Sequence, residues 1–192
     1  MSVKSVIKRA THILSDKQYI KLKYFTKFHK FPDLKSPKTF NEKLQWLKLY
    51  DRKDIYTTMV DKYEAKRYVA SIIGEEHVIP TLGVWDRFED IDFAALPDKF
   101  VLKTTHDSGS VVICRDKADF DFEAAKKKLN GSLANNYYYD GRQWPYKNVK
   151  PRILAEQYLE DGKAEKGLVD YKFFCFNCEP KMLYVSEGLE DH

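Results

Sequence analysis

Lys103 ends the apolar run Phe100-Val-Leu-Lys-Thr104, and alternation along an extended chain puts it on the face of Val101, opposite Phe100 and Leu102. An ammonium group on a partly buried strand needs an anionic partner. The residues that follow, His106-Asp-Ser-Gly-Ser110, are small and polar. Such a turn can aim several backbone N–H groups at one point, an arrangement that cups phosphate oxygens. A fixed cation beside an amide-rich turn is the outline of a nucleotide-phosphate site. The same residues also suit a plain hairpin turn, because Gly109 is the only glycine among them. Spacing alone leaves both readings open.

Other reactive residue types carry less. Cys175-Phe-Asn-Cys178 has the form C-x-x-C, but the third cysteine, Cys114, stands alone, and no second pair or histidine set has the spacing of a zinc site. Two small residues beside a turn account for the pair. Tyr137-Tyr-Tyr139 and Trp144 read as aromatic packing rather than a stacking platform for bases.

The elements that must position Lys103 follow from punctuation and periodicity. With 192 residues, 43% apolar and 15% aromatic, the chain has material for one packed domain or two small ones. Tyr19, Ile20, Leu22, Tyr24, Phe25 and Phe28 form a helical segment, preceded by a stripe of Val3, Ile7, Ala10, Ile13 and Leu14. Phe31 to Pro37 is a linker with two prolines. Thr39-x-x-Glu42 is a capping box that opens the next helix, and Asp61 opens a further one over Lys62 to Ile73 that Gly74 stops. Strands are expected at 77–79, 100–104, 111–114, 152–158, 171–176 and 181–185, with a helix over 121–130. Helices and strands mix without strict alternation, which predicts an α+β fold.

Charge is concentrated at one end. Residues 1–30 carry eight Lys or Arg against Asp16 alone, a net +7, and the other 162 residues sum to −3. A basic helix with an apolar stripe can lie on anionic lipid, grip an acidic polymer, or dock with its outer face solvated. Lysines attract any polyphosphate, so nothing here specifies nucleic acid. No run approaches the roughly 18 apolar residues of a membrane span, and the N-terminus lacks an apolar signal core. The expected location is cytoplasmic, with the inner face of the membrane in reach of residues 1–30.

The order of motifs resembles the ATP-grasp superfamily, in particular the branch named after the teichuronopeptide biosynthesis protein TupA. The resemblance rests on Asp61-Lys62 opening a helix, a strand region with Pro80, Pro97-Asp-Lys-Phe-Val-Leu-Lys103, His-Asp-Ser-Gly-Ser110, Ile153-Leu-Ala-Glu-Gln-Tyr-Leu-Glu160 and Asp170-Tyr-Lys-Phe-Phe-Cys-Phe176. It implies two α/β lobes with a nucleotide cleft between them, preceded by N-terminal helices. The implied division is a basic helical region over 1–50, a small lobe with the phosphate loop over 51–150, and the start of a second lobe over 151–192. By the same resemblance, Lys62 and Lys103 would contact phosphates, and Ser108, Gly109 and Ser110 would form the mobile loop over them. His106 is either a phosphate ligand or solvent-facing. Glu156, Gln157 and Leu159 would form the hinge that reads adenine, and Glu160 or Asp161 would hold the ribose. Lys172 would face the transferred phosphoryl group.

The activity implied is that of ATP-dependent carboxylate–amine ligases, serving cell-surface polysaccharide or teichuronopeptide synthesis, with an acidic polysaccharide or peptide precursor as partner. ATP is the implied cofactor. Mg²⁺ is expected by family, but its usual acidic residues and Asn have no counterpart before His192, which predicts an incomplete C-terminal lobe and leaves no metal ligand to assign. Two rival readings follow: a catalytically degenerate nucleotide-binding protein, and a transferase of capsule assembly.

Overall fold

The computed structural model describes residues 13–160 and 168–187. Four antiparallel strands form the main sheet: β1 (Thr81–Trp85), β2 (Phe100–Thr104), β3 (Val111–Cys114) and β4 (Ile153–Gln157), in the order β1-β4-β2-β3. The helices are α1 (Asp16–Phe28), α2 (Phe40–Tyr50), α3 (Ile55–Val60), α4 (Lys62–Ile73), α5 (Phe122–Leu133) and the short α6 (Tyr138–Gly141). β5 (Val169–Phe176) and β6 (Glu179–Glu187) pair only with each other, as a hairpin whose side chains are largely exposed. The fold is α+β, as expected.

Alternation in β2 divides the sheet into two faces. Phe100 and Leu102 face Cys114, Ile153 and Ala155, and α5 closes this side with Ala125 and Leu129. Leu96, Phe88 and Ile91 complete the core. Each large apolar side chain buried here contributes roughly 2 kcal/mol. Val101, Lys103, Leu154 and Glu156 take the opposite face. β4 is the pivotal strand: it lies between β1 and β2, so the sheet crosses the boundary expected at residue 150.

One expected strand moves. Among the described residues, 77–79 find no partner strand, and the chain forms a 3₁₀ turn over Glu75–His77 before β1 begins at Thr81. β1 itself is obscured in the sequence by Gly83. A Cβ there would clash with the Trp85 ring, so glycine allows the ring to fold back over the strand.

The N-terminal helices dock by caps and ion pairs. Ser15 and Gln18 form a capping box at α1, and Ile20 and Tyr24 are its buried residues. Asp16, the only acid of residues 1–30, receives hydrogen bonds from Arg52 (2.7 Å) and the Tyr138 hydroxyl and lies 3.7 Å from Arg142. Burial and the Asp16 contact push the Tyr138 phenol up to about 12. Of the three readings of the basic N-terminus, docking therefore holds for α1; the stripe over residues 3–10 lies outside the described residues. Among the described residues no helix is long and apolar enough to cross a membrane.

Glu42 organises the linker. Its carboxylate accepts from the backbone N–H groups of Thr39 (3.0 Å), Asp33 (3.2 Å) and Lys38 (3.2 Å), and from the Thr39 hydroxyl (3.0 Å). The Thr39 and Asp33 amides lead in lowering its pKa from 4.5 to about 2. A depressed carboxyl stabilises the fold above its unfolded pKa and loses that contribution as pH falls through the folded one. Glu42→Gln is therefore expected to lower the thermal midpoint at neutral pH. The gap to wild type should shrink as pH drops from 4.5 towards about 2. Melting curves that stay equally spaced over that range would contradict the assignment.

Candidate functional site

The face of the sheet away from α5 carries a charged cluster. Lys103 extends from the end of β2 and ion-pairs with Oε2 of Glu156 on β4. Lys66, from α4, reaches the other oxygen of the same carboxylate at 2.6 Å. The Glu156 side chain is only 6% exposed. Burial pushes its carboxyl upward, but hydrogen bonds from Lys103 and Lys66 outweigh this and hold it below the usual range. The anionic partner that a strand lysine requires is thus supplied by the neighbouring strand.

Lys62, one turn before Lys66, binds the loop. Its Nζ donates to the carbonyl oxygens of Thr104 (2.8 Å) and Asp107, and its backbone N–H donates to Thr105 (3.0 Å). Burial lowers the ammonium pKa against the pull of Asp107. Arg152 fastens the same helix start to β4, with hydrogen bonds to Asp61 (2.8 Å) and Glu64 (3.0 Å), and it lies over the Tyr63 ring at 4.9 Å.

The 105–110 loop is organised by Asp107. Its Oδ1 accepts from the hydroxyls of Thr104 and Ser110, both at 2.5 Å, and its Oδ2 accepts from Ser132 of α5. Burial raises the carboxyl, and the three hydroxyls together with Lys62 bring it net below its ordinary value. Ser108 and Gly109 form the exposed tip. Gly109 has φ +94°, and nothing lies within 4 Å of a Cβ built there, so the glycine serves the backbone conformation rather than a close contact.

The expected site residues fall into three groups. Lys62, Lys103, Glu156 and the 106–110 loop are brought together at the C-terminal end of β2. Gln157, Leu159 and Glu160 are exposed where the chain leaves β4, with Glu160 paired to Lys99. Asp161 lies outside the described residues. Lys172 is an exposed hairpin residue, 3.1 Å from Asp170 and over the Tyr184 ring at 5.8 Å.

His106 corrects the solvent-facing alternative. It is 2% exposed, and its Nε2 donates to the carbonyl oxygens of Ser132 (3.2 Å) and Asn135 (3.0 Å), so the ring ties the loop to the end of α5. Its Nδ1 makes no hydrogen bond. Ser110, expected at the mobile tip, is buried with its hydroxyl on Asp107.

Sequence reading missed Lys66, Asp107, Ser132 and Arg152. Only Lys66 left a signal: its i+4 spacing from Lys62 stacks both lysines on one helix face. Among the described residues no group of His, Cys, Asp and Glu is arranged to hold a metal ion. Glu156 and Asp107, the acids beside Lys103 and the loop, already have their oxygens engaged by lysines or hydroxyls, so they do not fit a Mg²⁺ cage.

Arg152→Met is expected to cost about 3 kcal/mol in urea denaturation, because it leaves the buried Asp61 without a counter-ion. Arg152→Lys should recover part of that loss, and a change within about 0.5 kcal/mol for the Met variant, the range of an ordinary surface substitution, would refute the role.

Comparison with curated proteins and with solved structures gives no match. A family model does match: the one described as TupA-like ATPgrasp aligns with residues 42–187. That span runs from Glu42 to the end of β6 and includes the whole charged cluster, the loop and the hairpin. The chain belongs to the TupA-like ATPgrasp family.

Proposed function

We propose that the protein binds ATP over the charged face of the four-stranded sheet. The observation that carries this reading is the placing of Lys103, held by Glu156, on one face of the sheet with the half-buried Val101, Val111 and Ile113, at the strand end where the loop with the exposed Ser108-Gly109 tip departs. An adenine ring needs an apolar slot, and a triphosphate needs cations and N–H groups fixed beforehand. Lys103 would bind the phosphates directly. Lys62 would act through the loop, since its ammonium holds the carbonyls of Thr104 and Asp107. Ser108 and Gly109 would cover the phosphates, while His106 and Ser110 would anchor the loop from beneath.

In the same reading the chain leaving β4 near Gln157 and Leu159 is the adenine hinge, and Glu160 or Asp161 meets the ribose. Lys172 comes from a second lobe to face the transferred phosphoryl group. The chemistry is that of the carboxylate–amine ligases: ATP phosphorylates an acceptor carboxylate, ADP leaves, and an amine displaces phosphate from the acyl phosphate. The acceptor would be an acidic polysaccharide or peptide precursor of the cell surface. Lysines of residues 1–30 would keep the protein near anionic lipid at the inner membrane face, where Leu22 and Phe25 of α1 are exposed for contact. A second reading is nucleotide binding without turnover, favoured by the full engagement of Glu156 and Asp107.

Titration calorimetry with ATP tests the binding claim. Lys103→Ala should weaken affinity about tenfold or more, the worth of a charge-assisted hydrogen bond. Equal affinity in both proteins would reject the phosphate role. Release of ADP when acidic precursors and an amine are supplied would exclude the reading without turnover.

Vesicle sedimentation tests the lipid claim. Vesicles of phosphatidylcholine with phosphatidylglycerol should retain the protein in a salt-sensitive manner, and equal partition onto pure phosphatidylcholine would reject it.

A further inference from the structure

Glu156 is shared by two lysines, one on each oxygen, and the three side chains come from three different elements. Lys103 stands on β2, Glu156 on β4 and Lys66 on α4, and the side chains of the two lysines are 21% and 15% exposed. One lysine would satisfy the charge of the carboxylate. The second therefore needs a reason.

We infer that Lys66 is a positioning residue for nucleotide binding, which keeps Glu156 neutralised so that Lys103 can leave that carboxylate for a phosphate. The inference rests on the ATP-binding reading and adds a part to it. A phosphate that drew Lys103 away from a lone buried carboxylate would leave an uncompensated charge, and that cost would be subtracted from affinity. With Lys66 in place, Glu156 retains a counter-ion at 2.6 Å throughout. Among the described residues the neighbouring cations are engaged elsewhere. Lys62 is committed to the loop carbonyls, Arg152 to Asp61 and Glu64, and Arg67 to Glu64 at 3.2 Å. The trio as a whole carries one positive charge in excess, which an incoming phosphate meets without any side chain having to be recruited.

The same geometry explains why Lys66 and Lys62 lie one turn apart. A helix places i and i+4 on one face, so α4 delivers one lysine to the loop and the next to the carboxylate beneath Lys103. The two have separate tasks: Lys62 shapes the cover, and Lys66 frees the cation.

The test is a double-mutant cycle read by calorimetric titration with ATP and, separately, with adenosine. Wild type should bind ATP; if it does not, the ATP-binding reading itself fails, and this inference with it. Given wild-type binding, Lys66→Met should weaken ATP affinity about tenfold, while Lys66→Arg keeps most of it. In a Glu156→Gln background, Lys66→Met should change ATP affinity by less than about twofold, because no buried carboxylate remains to be left unpaired. Adenosine affinity should be the same with and without Lys66, since no phosphate then calls on Lys103. Unchanged ATP affinity in Lys66→Met, or an equal loss in both backgrounds, or an equal loss for adenosine, would overturn the inference while leaving ATP binding intact. Lys66→Gln, which removes the charge and keeps a hydrogen-bonding side chain, carries the same comparison if the methionine variant does not fold.

Discussion

A carboxylate buried between two strands has to be neutralised, and the way Glu156 is neutralised sets the arrangement around it. The group sits on the central strand β4, so any partner must arrive from a neighbouring strand or from a helix crossing the open face. Lys103 arrives from β2 and Lys66 from α4. The sheet and α4 are thereby fixed to each other by charge on the face where they share little apolar contact. Desolvation of an unpaired carboxylate would cost several kcal/mol, so the ion pairs are a condition for burying Glu156 rather than a surplus of stability. The apolar core lies on the other side, against α5, and does the larger share of holding the fold together.

The loop beside Lys103 obeys a related constraint. In the proposed ATP-binding reading it presents amides at its tip, while its base runs through buried backbone that cannot be left unsatisfied. Asp107 gathers three hydroxyls, His106 donates to two carbonyls at the end of α5, and Lys62 takes two more carbonyls from the opposite direction. The anchored base leaves Ser108 and Gly109 as the exposed tip. In the proposed ATP-binding reading this tip would cover the phosphates without disturbing the strands, because the base is hydrogen-bonded to α4 through Lys62 and to the end of α5 through His106 and Asp107.

Much of this was legible in the sequence where the signal was local. The capping box at Thr39, the span of α4, the limits of β2 and β3 and the placing of Lys103 opposite Phe100 all follow from nearest-neighbour chemistry. What was not legible depended on partners distant in the chain. Residues 77–79 have strand-forming side chains but no strand to pair with, and β1 was hidden behind a glycine that only the Trp85 ring explains. His106 looked solvent-facing because its burial is produced by Ser132 and Asn135, twenty-six and twenty-nine residues further on. Nothing local marks Lys66 as a counter-ion, since its carboxylate lies ninety residues away. Charged residues are the hardest to assign from sequence, as the same side chain is a solvated surface group or a buried counter-ion according to contacts that local pattern does not encode.

The balance of charge at this face bears on what it can select. Lys62, Lys66, Lys103, Arg67 and Arg152 stand against Asp61, Glu64, Asp107 and Glu156, so the cluster carries one positive charge in excess. A single excess charge exerts little long-range attraction, in contrast to the net +7 of residues 1–30, whose field would draw any anion regardless of shape. In the proposed ATP-binding reading, recognition at this face comes from re-pairing at close range. An incoming group must offer Lys103 at least what Glu156 offers and must also occupy the amides of the loop tip. A single small anion can do the first but not both. In that reading a chain of phosphates reaching from the lysine to the tip would do both at once, so the pre-existing ion pair would act as a threshold that favours extended polyphosphates over isolated ions.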